Sequence, residues 1–191
     1  MNTLTASAAG LATLILAGTL MAGLTGQTYP PSAFQVSVLA VVLSAVSTLV
    51  APISSALGME TWVAPGGEAV RLGLAPLASW VAAGVLIGLM SRKAKNSIPP
   101  ALFTSSLVYL ALVGLSIYVL PRLPGAVEWQ TYLSRVSSAI ILEGPLDFVF
   151  IFAAPLASSL LTSGLRDLYA YRPAPLPPPR RRRFWEWVEE E

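Results

Sequence analysis

The two acids placed closest to apolar sequence are Glu143 and Asp147, within Leu142-Glu143-Gly144-Pro145-Leu146-Asp147. Four residues apart on a helix, both carboxylates would lie on one face. A carboxylate inside hydrocarbon is expensive, so such groups serve as an ion site, a proton relay or a partner for arginine. Pro145 would free a backbone carbonyl beside them, a second ligand for a cation. The competing reading is architectural. A helix begins at Gly144-Pro145, where proline suits the first turn and acids complement the positive helix end. In an intermediate arrangement one of the acids pairs with Arg135 at the outer interface.

Composition removes most other chemistry. The 191 residues contain no Cys and no His. That excludes disulfides, thiolate nucleophiles, Cys/His zinc sites, histidine-ligated haem and a His general base. No GxSxG, HExxH or P-loop occurs, nor a cluster of acids suited to Mg²⁺. The chain therefore reads as non-enzymatic, with no catalytic residue, metal or cofactor expected. A net charge of +2 offers no global basic field for nucleic acid.

Two patterns address helix packing. Ser37, Ala40, Ser44, Ser47, Ala51 and Ser54 recur at alternating spacings of three and four, a heptad seam made of small residues. In lipid, a small face lets helix backbones approach closely and its hydroxyls bond across the interface. The seam thus predicts helix packing, with a polar conduit lining as the alternative. Gly84 and Gly88 form GxxxG, read first as an intramolecular packing face and second as a dimer face. A third feature lies in the tail. Five prolines fall between Pro173 and Pro179, Arg180, Arg181, Arg182 and Arg183 follow, then Phe184, Trp185, Trp187 and Val188, then three glutamates. The prolines predict an extended spacer and the arginines an anionic-lipid patch. With the tryptophans they make a docking site for lipid or a cytoplasmic partner.

Helices must position all of this. Hydrophobic residues make up 54% and charged residues 12%, half the charge of a soluble domain, and no Asp, Glu, Lys or Arg precedes Glu60. Such a chain belongs in a bilayer. Spans of roughly 20 apolar residues are predicted at 4–25, 33–57, 72–90, 101–120 and, less cleanly, within 136–165. A surface helix is expected within 125–135. The first segment lacks a positive n-region and reads as a span, not a cleaved signal peptide. The expected fold is an all-α bundle of five transmembrane helices over 1–171, followed by a cytoplasmic tail over 172–191.

Basic clusters set the predicted orientation. Arg92, Lys93 and Lys95 put the third loop in the cytoplasm; Arg166, Arg172 and the tetra-arginine put the C-terminus there. Counting back three spans leaves the N-terminus outside. Arg122 and Arg135 fall on the outer side, against the trend. The expectation is a multi-pass protein of the cell membrane, a non-enzymatic subunit of a secretion, macromolecule-import, transport or respiratory assembly. Its partners would be the bilayer, other membrane subunits or further copies of itself. The alternative is a small ion or solute transporter using Glu143 and Asp147.

Overall fold

The computed structural model describes residues 3–25, 38–62, 69–91, 93–122, 128–138 and 145–170. Ser37, Glu143, Arg180 to Arg183, Trp185 and Trp187 lie outside them. Helix accounts for 86% of the described residues, in agreement with the all-α expectation. The helices are α1 (Thr3–Thr25), α2 (Val38–Ser47), α3 (Pro52–Ala56), α4 (Ala75–Met90), α5 (Ile98–Val119), α6 (Trp129–Ser137) and α7 (Pro145–Ala170). A two-stranded antiparallel ribbon, β1 (Thr61–Trp62) and β2 (Ala69–Val70), pairs Thr61 with Val70 between α3 and α4. Short 3₁₀ turns at Ala94–Ser97 and Leu120–Arg122 flank α5.

Three stretches are long and apolar enough to cross a membrane: Thr3–Leu24, Ala94–Arg122 and Pro145–Tyr169. The segment predicted as a second span behaves otherwise. Its helix stops at Ser47, residues 48–51 are not helical, and a five-residue helix starts at Pro52. Proline explains the break. Pro52 has no N–H to continue the helix, its ring excludes helical geometry at the preceding residue, and it is well placed at a first turn. Ala51 accordingly has φ −119° and ψ 66°. Ser47 and Thr48 turn their hydroxyls onto the carbonyls of Ser44 and Ala45, at 2.9 and 2.7 Å.

A second proline has the opposite outcome. Pro155 lies inside α7, which continues through it. Its missing N–H orphans the carbonyl of Ile151 one turn earlier, and Ser105 of α5 supplies the replacement donor at 2.8 Å. The bundle core gathers around this point, with Leu14, Leu43, Val46, Leu49, Trp80, Ala83, Leu112 and Ile151 all buried.

The contacts also fix which helix ends lie together. Ser7 and Gly10 of α1 face Thr104, in the first turns of α5, and Gly10 faces Ile87, in the last turn of α4. Ser163, late in α7, meets Ser97 at 3.3 Å. The start of α1, the 93–97 connection and the end of α7 therefore share one end of the bundle. The end of α1 and the start of α4 lie toward the other end. α1 is therefore antiparallel to α4 and parallel to α5. Five alternating spans would instead make α1 parallel to α4.

Candidate functional site

Asp147 occupies the third position of α7, in its first turn, as the architectural reading required. Its side chain does something further. The carboxylate is 1% exposed and accepts from the N–H of Ile53 at 2.5 Å and of Ser54 at 3.0 Å. The Ser54 hydroxyl also donates to it. These amides are at the second and third positions of α3, whose own cap residue, Ala51, has no side chain to offer. An Asp 93 residues downstream thus performs the capping that a local Ser, Thr or Asp ordinarily provides. A helix of five residues has little macrodipole, so direct hydrogen bonds carry the stabilisation.

The break before α3 is closed by other side chains. Trp80 of α4 is fully buried and donates its indole N–H to the carbonyl of Leu49 at 2.8 Å. Ser55 donates to the carbonyl of Gly73 at 3.0 Å, and Gly73 has a positive φ of 61° that favours glycine. The non-helical backbone is therefore satisfied from α3, α4 and α7 together, the condition for irregular chain in a dry interior.

At its other end α7 repeats the device with both signs of charge. Arg166 donates to the carbonyls of Leu89 and Ser91, at 2.5 and 3.5 Å, where α4 runs out of partners. Asp167 accepts from the N–H of Ala94 at 3.2 Å, at the start of the turn into α5. A cation at a helix C-terminus and an anion at an N-terminus each have the favourable sign. One helix thus carries caps for three others.

The predicted packing residues divide. Ala40, Ser44 and Ser47 are buried on α2, but Ala51 lies in the break and Ser54 on α3, so the six-residue seam is not one continuous helix face. Gly84 and Gly88 meet α7. A Cβ on Gly84 would strike the Ser158 hydroxyl and lie 2.5 Å from the Pro155 carbonyl; one on Gly88 would lie 2.6 Å from the Ser159 carbonyl. GxxxG here is an intramolecular face. Trp80 and Ser105 went unread in the sequence. Their signals were present: an indole N–H in an apolar span that needs an acceptor, and a proline in another span that orphans one.

Buried hydroxyls elsewhere bond their own helices. Ser7, Ser79, Ser91, Thr104, Ser116, Ser158 and Ser163 each donate to a carbonyl four residues earlier. No group of three or more metal-ligating side chains occurs among the described residues. In comparisons with known proteins, no family model, curated protein or solved structure matches the chain.

Proposed function

We propose that the chain is a non-enzymatic integral subunit of a larger membrane assembly, of secretion, macromolecule-import, transport or respiratory type, in the cell membrane. Asp147 carries this reading. The one buried carboxylate among the described residues is committed to the protein's own backbone, so the costly charge serves architecture. In the membrane frame we propose, the basic 93–97 end faces the cytoplasm by the positive-inside rule. The N-terminus and the tail then lie on that side too, α1, α4, α5 and α7 cross, and residues 38–56 enter and leave from outside. The tail, with Arg180 to Arg183, Trp185 and Trp187, remains the proposed docking element for anionic lipid or a cytoplasmic partner.

A second reading is favoured by one observation. Helices interrupted within a bundle, beside a buried carboxylate, are how many transporters build substrate and ion sites. Under it, Asp147 and Ser54 exchange their mutual hydrogen bond for a transported cation. Two measurements separate the readings. Affinity purification from native membranes in mild detergent should recover stoichiometric partner subunits, and liposomes holding the chain alone should show no cation flux. Flux that is lost in Asp147→Asn would replace the subunit reading with the transporter one.

A further inference from the structure

The first two turns of α1 and the second and third turns of α5 border a cleft of about 330 Å³, lined by Leu4, Ala8, Leu11, Phe103 and Leu107 with Ser7 and Thr104 at its floor. Both floor hydroxyls are occupied, Ser7 by the carbonyl of Thr3 at 3.1 Å and Thr104 by that of Pro100 at 2.7 Å. The cleft therefore presents hydrocarbon to its occupant. It is open: Leu4 is 72% and Phe103 52% exposed. A helix about 10 Å across fills roughly 400 Å³ per turn, so a cleft two turns long is too small to seat one. It matches a single flexible chain, with room for roughly ten groups the size of a water or methylene.

The connection into α5 lies at the same end of the bundle as the cleft and carries positive charge. Lys93 and Lys95 are exposed on the connection leading into α5, and neither takes part in the ion pair found among the described residues, Glu60 with Arg71. Asp167 accepts from the N–H of Ala94, which lies between the two lysines in sequence, and Arg166 beside it balances that acid with a positive charge. From Lys95 to Phe103 is eight residues, about 12 Å along the chain's rise, which is the scale of a bilayer leaflet's hydrocarbon half-thickness of about 15 Å. A phosphate level with the lysines would thus carry its acyl chain into the cleft. Basic pockets between spans on the cytoplasmic side suit anionic head groups.

We infer that this cleft is a binding site for one anionic phospholipid, with an acyl chain between α1 and α5 and its phosphate at Lys93 and Lys95. The inference uses the membrane reading above and is independent of the assembly reading. Flotation of the full chain with neutral phosphatidylcholine vesicles tests that underlying reading by itself. The site is tested by thermal unfolding of the purified full chain in mild detergent, titrated with phosphatidylglycerol, phosphatidylcholine or inorganic phosphate. Phosphatidylglycerol should raise the midpoint saturably while the other two do not. Lys93→Gln and Lys95→Gln should each weaken the response by roughly fivefold in concentration. Ala8→Phe, which fills the cleft from an exposed position, should abolish it. Should Ala8→Phe fold poorly, native mass spectrometry of the lysine variants counts the retained lipid instead, expected to fall from one per chain toward none. An equal response to phosphatidylcholine would mean ordinary annular lipid. A response to phosphate alone would mean a head-group-sized anion site without the chain. Self-association that covers the cleft, or an undiminished response in all three variants, would equally overturn the proposal.

Discussion

At the scale of single residues, the ionisable groups of α7 are spent on helix ends, and this makes their substitution costs predictable. Asp147→Ala leaves two half-buried amides without acceptors, and each orphaned donor costs about 1–3 kcal/mol, so a loss of roughly 2–6 kcal/mol is expected. Asp147→Asn retains one acceptor oxygen and should lose less than half as much. Reversible unfolding in detergent compares the two; equal losses would mean that the amides find other partners. Ser105 allows a stricter test, because its acceptor is orphaned by a known cause. Ser105→Ala should cost about 1–2 kcal/mol in the native background. With Pro155→Ala, the restored N–H takes the Ile151 carbonyl, and Ser105→Ala should then cost little. A double-mutant cycle reads this coupling directly, with an interaction energy near zero as the outcome that refutes it.

At the scale of elements, close backbone approach decides which glycines matter. Gly84 and Gly88 lie against the α7 backbone, whereas Gly114, about three-quarters of the way along α5, has nothing within 4 Å of where its Cβ would be. Gly84→Ala and Gly88→Ala should therefore destabilise by about 1–3 kcal/mol through overpacking. Gly114→Ala should be neutral or stabilising by up to about 1 kcal/mol, since alanine is the better helix former. Thermal unfolding of the three variants checks the ranking. Most elements were legible in the sequence: α1 and α5 match predicted spans within three residues, and α6 falls close to the expected surface helix. The break before Pro52 was not read, because hydropathy averages over 33–57 outweigh one proline in a window. Pro155 shows why proline alone cannot settle the matter, since a hydroxyl on another helix decides whether the freed carbonyl is tolerable. Asp147 was legible as the residue of interest, and the first-turn reading located it correctly. Its partner was not, because a cap drawn from 93 residues away leaves no local motif.

At the scale of the whole molecule, the fold predicts sidedness. The native chain has no Cys, so single cysteines can be introduced without background. Thr3→Cys and Asn96→Cys should react with an impermeant maleimide from the same side of sealed vesicles, because α1 begins where the 93–97 connection lies. Leu57→Cys, exposed between α3 and the ribbon, should react from the other side. Opposite reactivity of positions 3 and 96 would restore the alternating five-span arrangement and contradict the contacts of Ser7 and Gly10. The far end also shows how the molecule treats a charge against the basic trend: the Arg122 guanidinium lies 3.7 Å over the Tyr118 ring centroid, an interfacial anchor that needs no acidic partner.

The distant cap on α3 also has a consequence for biogenesis. Ribosomes add about 5–20 residues per second, so roughly 5–20 seconds separate the emergence of Ser54 from that of Asp147. In the membrane frame proposed above, an insertion machine would meet the segment 33–57 during that interval as a long apolar stretch whose α3 is still uncapped. In that frame the nascent chain would either hold this segment unsettled or let it cross and withdraw it when α7 arrives. A ribosome-stalled fragment ending at residue 140 should accordingly display position 57 differently from the finished protein, and release of the full chain should convert one pattern into the other. The cap on α3 is completed only when α7 has been made, 93 residues after Ser54.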